Sequence, residues 1–323
     1  MINGCVAYPF LNVKKVKKQS KIKRLVSNHF FLKNELAIHS ILPNNAHYFY
    51  IFLEAEKISY QEIDDDTNHI FPQKTVLLNE VQDRVLLHYE PKRFYSLDDV
   101  FLFLENSSPL EYLRFTIRLY NHLLNAIDLL NQHNIVNFIS QQKIAINENQ
   151  EANIINFEQA LRITQSNINC DYVMPYLSYL QESWPLEFHI LHHMNDNDIQ
   201  IKSLSKIHLE TILNKLSIEE EEKKEAFLFF RSYINQPLEK LCPFVFNYWH
   251  TWNQYSLNKM ILGFLKKLDP INTFVKQLKE LLTDGSRKNP EKRLSIKESR
   301  DKLEQLCYQM ERETFEQIKF NAF

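Results

Sequence analysis

The hydrophobic pattern of this 323-residue chain changes once, near Pro109, and that change restricts its fold more than any other feature. Upstream, short runs rich in β-branched and aromatic residues recur at residues 6–13, 20–26, 48–58 and 85–89. Such runs suit strands. A helix over about 30–41 is expected among them, and Asp64-Asp65-Asp66 reads as a solvated loop. Downstream the apolar period lengthens. Leu110, Leu113, Ile117, Leu124, Ile127 and Leu130 form one stripe on a helix, with Asn134 placed to stop it. Ser217 and Glu220 make a capping-box pattern that opens a helix through Arg231. Further helices are expected over about 256–268, 271–282 and 296–315. Strands first and helices after indicate an α+β chain. With no repeat and no long linker, one folding unit is the simplest organisation.

Composition removes several classes of function. Hydrophobic residues make up 44% and charged residues 24%, ordinary for a globule that buries a large core. A formal charge of −2 gives no global field toward nucleic acid or membrane. No apolar run approaches the roughly 20 residues needed to span a bilayer. The basic stretch from Lys14 to Arg24 has no interleaved aromatics for base stacking, so it reads as a solvated turn. The cysteines, Cys5, Cys170, Cys242 and Cys307, show no metal-ligand spacing, and no signal peptide precedes them; a reducing, intracellular compartment is expected. Only Gly4, Gly263 and Gly285 are glycine, which argues against a glycine-rich phosphate loop. His189, His192 and His193 share a helical face but lack an H-E-x-x-H carboxylate, and read as surface or interface histidines. The aromatics between Phe227 and Trp252 read as core, or in part as a partner surface.

Several short segments line up in a fixed order. Asn3-Gly4-Cys5-Val6 through Pro9 is similar to the tail of a glycine loop. Lys21 in Ser20-Lys21-Ile22, with Lys23 as a fallback, and Glu35 match a strand lysine and its helical glutamate partner. From Ile135 to Leu161 the chain follows an H-R-D-L-K-x-x-N loop, a hairpin and a D-F-G segment. Asn137-Phe138-Ile139 stand at H-R-D, Ile144 at the loop Asn, and Asn156-Phe157-Glu158 at D-F-G. Trp184-Pro185-Leu186-Glu187 is similar to A-P-E. Trp252 to Leu257 is similar to D-x-W-S-L, with Asn253 for Asp, and Asn289-Pro290 to Arg293 to N-P-x-x-R. Together these segments resemble the protein kinase superfamily, most closely the serine/threonine kinase-like proteins of large DNA viruses. The resemblance implies a single bilobal domain, with a small β-rich N-lobe over about 1–90 and a larger helical C-lobe over about 91–323. It also implies that Glu187 and Arg293 pair, as their counterparts do.

The substitutions bear on chemistry. Phosphoryl transfer needs metal held by the D-F-G Asp and the loop Asn, a lysine on the phosphates, and a loop Asp facing the acceptor hydroxyl. Ile139 cannot accept a proton, and loss of a general base alone costs about 10²–10⁴ in rate. Ile144 removes an oxygen ligand, Asn156 keeps a neutral oxygen without the charge that Mg²⁺ prefers, and Glu158 adds a side chain where backbone freedom was available. The reading is a pseudokinase with no intact catalytic residue, acting through an unidentified host or viral protein as scaffold, decoy or allosteric partner. One alternative is a divergent, weakly active kinase in which Glu158 binds metal and Asp98, Asp99 or Asp171 supplies a base. Another is a structural component of a virion. No cofactor or metal is expected, ATP held without metal by Lys21 and Glu35 being the exception; nucleic acid and membrane are not expected partners. The implied location is the host cytoplasm and, under the third reading, the virion.

Overall fold

The computed structural model describes residues 22–26, 29–43, 47–50, 52–58, 84–89, 94–157, 159–164, 183–196, 203–216, 220–309 and 318–321. The architecture is α+β, mostly helical, with small antiparallel sheets. Strands β1 (Ile22–Val26), β2 (Phe52–Ile58) and β3 (Arg84–Tyr89) form one sheet in the order β1-β3-β2, with Ile22 opposite Tyr89 and Ile58 opposite Arg84. Helix α1 (His29–His39) follows β1 in the chain. A second sheet joins β4 (Phe94–Ser96), β6 (Ile144–Asn147) and β7 (Ala152–Ile154), and a two-residue ladder joins β5 (Ile135–Val136) to β8 (Leu161–Arg162).

Residues 47–50 do not continue β2. They run beside β7, where the Tyr50 N–H donates to the Ile154 carbonyl (3.1 Å) and the Ile154 N–H to the Tyr48 carbonyl (2.8 Å). The strand expected from residue 48 therefore starts at Phe52.

Helix α2 (Leu97–Glu105) is capped by Ser96, whose hydroxyl oxygen accepts from the Asp99 N–H. Helix α3 (Pro109–Gln132) starts on a proline, which fits the first turn because its missing N–H would have no partner there. Of its expected stripe, Leu113, Leu124, Ile127 and Leu130 are wholly buried, whereas Leu110 and Ile117 are half-buried against the same core. Asn134 takes a left-handed φ of 56° just past its end. Among the described residues seven α-helices follow: α4 (Leu186–Asp196), α5 (Lys206–Lys215), α6 (Glu220–Phe230), α7 (Leu238–Phe246), α8 (Trp252–Leu265), α9 (Thr273–Asp284) and α10 (Ile296–Gln309).

Among the described residues the buried apolar side chains gather in two clusters. One joins α2, α3, α8, α9 and β6–β7, and includes Ile38 of α1. The other joins α4 to α7 with Phe138, Trp184 and Trp252. Each fully buried large side chain contributes about 1.5–3 kcal/mol, so these clusters dominate the favourable side of folding.

Several helix bounds differ from expectation for local reasons. Helix α8 begins at Trp252, four residues early, because its first turn buries Asn253 and Gln254 as well as Trp252 and Tyr255 and so shows no apolar stripe. Helix α9 begins at Thr273 because the Asn272 side chain accepts from the Val275 N–H (3.1 Å). Helix α5 is capped by Ser205 and His208, and α7 contains Pro243; neither was expected. Residues 6–13, the acidic run at 64–66, Ser217, and the basic stretch outside β1 lie outside the described residues. Cys242 is disulfide-bonded, which departs from the expectation of scattered thiols, whereas Cys307 is free. Among the described residues no helix is long and apolar enough to cross a membrane.

Candidate functional site

The loop from Ile135 to Ile144 is held from below by Asn253, a wholly buried amide on the first turn of α8. Its Oδ1 accepts from the backbone N–H groups of Asn137 (2.7 Å) and Phe138 (3.1 Å), and its Nδ2 donates to the Ile135 carbonyl (2.9 Å). Phe138 needs this grip. Its φ is +43°, a left-handed conformation that a bulky residue adopts only at a cost of about 1–3 kcal/mol. Its ring stacks on Trp184 (centroids 4.1 Å) and meets Phe188 edge-on (4.6 Å). Asn253 from one side and the aromatic stack from the other over-determine the strained turn. Lys143, nearly buried, donates its Nζ to the Asn137 carbonyl (2.6 Å) and side-chain Oδ1 (3.0 Å), closing the loop on itself.

The two positions that the resemblance sets at the loop Asp and the loop Asn are apolar and buried. Ile139 is 0% exposed and Ile144 is 3% exposed, and both belong to the core cluster that also contains Ile154 and Phe157. Asn156 sits at φ +61°, which an asparagine tolerates. Phe157 is buried and meets His39 edge-on (5.4 Å) and Phe49 at 6.1 Å. Helix α1 is tied to the same segment by Asn34, whose Nδ2 donates to the Ala160 carbonyl at 2.6 Å. Glu35 is wholly buried on α1, with His39 Nε2 3.4 Å from its Oε1. Lys21 and Glu158 lie outside the described residues, and Lys23 is placed on β1 opposite His88.

Glu187 and Arg293 meet in a bidentate pair, both side chains fully buried. Arg293 donates Nη1 to Glu187 Oε1 and Nη2 to Oε2, each at 2.8 Å; it also donates to Thr251 Oγ1 and, through Nε, to the Arg287 carbonyl. Trp252 Nε1 adds a bond to Glu187 Oε1 (3.1 Å). The guanidinium lies over the Tyr255 ring, 4.7 Å from its centroid. Lys288 is hydrogen-bonded to the Tyr255 hydroxyl. Burial pushes Lys288 down to about 8, and burial pushes Tyr255 up to about 12.

Asp98 and Asp99, candidate bases, are exposed on the first turn of α2, where Asp99 Oδ2 accepts from the Ser96 hydroxyl (2.7 Å). Burial and the neighbouring Asp99 raise Asp98 above the usual carboxylate range. Asp171 lies outside the described residues. His189, His192 and His193 lie on α4, and no described group of three or more His, Cys, Asp or Glu is arranged to hold a metal. Asn34 and Lys143 were missed in the sequence, where nothing separates them from other polar residues of the chain. In comparisons with known proteins, no family model matches this chain, and no curated protein is similar to it at a significant level.

Proposed function

We propose that the chain is a bilobal, kinase-like protein that does not transfer phosphoryl groups and works through protein–protein contacts, as a scaffold or allosteric partner. The observation that carries this reading is the burial of Ile139 and Ile144 in a continuous apolar core. A metal ion and a hydroxyl nucleophile both require oxygen at those places, and neither side chain has any. The retained positions hold shape: Asn253 grips the loop backbone, and Glu187 with Arg293 joins α4 to the segment before α10. Glu187 and Arg293 keep the charges that pair them and Asn253 keeps an acceptor oxygen, whereas Ile139 and Ile144 carry no polar atom in their side chains. Helix α1, fixed to residues 157–160 through Asn34, gives such a protein a small-lobe helix whose docking a host or viral partner can read.

A thermal-shift titration with ATP, with and without Mg²⁺ and Mn²⁺, tests the proposal. Ligand at 100 times its Kd stabilises the native state by about 2.7 kcal/mol, a readily measured shift. The expected result is no metal-dependent shift; a metal-free shift would indicate a remnant nucleotide site at Lys21 and Glu35. A shift that requires metal and disappears in Glu158→Ala would overturn the non-catalytic reading.

A further inference from the structure

An open groove of about 800 Å³ lies between α6, the aromatic side of α7 and residues 287–292, and it is built mainly from helices outside the segments with kinase resemblance. Its floor is aromatic. Tyr233 stacks on Phe244 (3.6 Å between centroids), and Phe229 stacks on the same ring at 5.1 Å. Leu228 stands on its edge 67% exposed, a large apolar side chain given to solvent.

The charges around the floor are unevenly matched. The cations are engaged within the wall: Lys224 with Glu221, Arg287 with Glu225 and Asp284, and Lys292 with Glu225. Glu222 and Glu291 line the groove without an ion-pair partner among the described residues. Glu291 accepts from the Tyr248 hydroxyl (3.0 Å). The cations whose fields reach Glu222, Lys288 and Lys259, are buried or largely buried and are directed at Tyr255. An anionic ligand would find no free cation among the described residues of the groove, whereas a cation would find two carboxylates and ring faces that attract positive charge.

We infer that this groove docks a partner peptide that carries arginine or lysine beside an aliphatic residue. The cation lies against the Tyr233–Phe244 stack and pairs with Glu222 and Glu291, and the aliphatic side chain covers Leu228 and Phe229. The inference rests on the protein-contact reading above and names the chemistry of the partner.

The test is fluorescence anisotropy of the full chain with a labelled dodecapeptide of alternating arginine and leucine, beside glutamate–leucine and arginine–serine counterparts. The first peptide is expected to bind saturably, and each counterpart about tenfold or more weaker. Glu291→Lys and the milder pair Glu222→Gln with Glu291→Gln are expected to weaken binding about tenfold, and Leu228→Asp several-fold, with melting temperatures kept near that of the parent. Undiminished binding by the charge variants, or equal binding of the glutamate peptide, would overturn the assignment. So would a concentration-dependent dimer, seen by sedimentation, that Leu228→Asp dissolves, since a second copy would then be the occupant. Absence of peptide binding together with no metal-dependent ATP shift overturns the groove alone; peptide binding together with such a shift overturns the non-catalytic reading alone.

Discussion

Replacing Arg293 by methionine should be among the most damaging single changes in the protein. The substitution keeps apolar volume and removes four hydrogen bonds: two to Glu187, one to Thr251 and one to the Arg287 carbonyl. Glu187 would be left fully buried with, among the described residues, only the Trp252 indole N–H as a donor. Breaking a buried pair from one side costs about 3–5 kcal/mol, because the remaining charge is neither solvated nor compensated. At about 2 °C per kcal/mol for a chain of this size, the melting temperature should fall by about 6–10 °C. Glu187→Leu should cost a similar amount. The double variant should cost about 3 kcal/mol less than the two single losses together, since no orphaned charge remains. Calorimetry or circular dichroism on the four proteins completes the cycle. A drop below 2 °C for Arg293→Met, or strict additivity in the double variant, would refute the reasoning that the pair is closed to water.

Asn253→Leu should lower stability by about 3 kcal/mol or more, as two loop N–H groups and the Ile135 carbonyl lose their partner; thermal melts give the size, and hydrogen exchange at Asn137 and Phe138 should show the loop opening first. Gly285→Ala should destabilise by about 1–3 kcal/mol, although φ −77° and ψ −6° suit any residue, because the new Cβ would collide with the Asn258 amide and lie 3.3 Å from its Cγ. Asn258→Ala in the same chain should recover most of that loss in a urea titration. Lys288 gives stability a pH dependence of known sign. Its folded value of about 8 is below that of the unfolded chain, so the cost is complete below pH 8, and stability rises with pH between about 8 and 10 as the native state sheds the proton first. Relative to Lys288→Met, the protein should gain about 1–2 kcal/mol between pH 7 and 9.5 by denaturant midpoint; a flat difference would show that the amine is solvated.

How far the sequence could be read depended on whether a residue's role was periodic. The α3 stripe from Leu110 to Leu130 repeats at helical spacing, and the helix lies where the repeat does. Polar burial has no period. The first turn of α8 buries Asn253 and Gln254 for the hydrogen bonds they make to the loop and to Ser299, so the helix was expected to start four residues later than it does. Pro243 hid α7, although the helix carries it among buried Leu241, Val245 and Phe246. Order of motifs served where period did not: Glu187 and Arg293 are 106 residues apart, and only their place among neighbouring segments marked them as a pair. No such frame marked Asn34, whose partner at Ala160 is a backbone carbonyl 126 residues away. The groove residues on α6 and α7 fall outside every segment that carries the resemblance, and Glu291, which falls within one, has no counterpart named there, so their role had to come from the arrangement of side chains.

The separation of Glu187 from Arg293 also matters on the ribosome. At about 5–20 residues per second, synthesis from one to the other takes about 5–20 s. Throughout that interval the carboxylate destined for a dry interior has no guanidinium to meet, and the α4–α7 cluster cannot close around it without an unmatched charge. Asn253 is made before Arg293 and can already grip the loop, so assembly has a fixed order: loop first, charge pair last. A nascent chain arrested between the two residues should stay open to protease around α4, and its release past residue 293 should mark the moment at which the helical part becomes resistant.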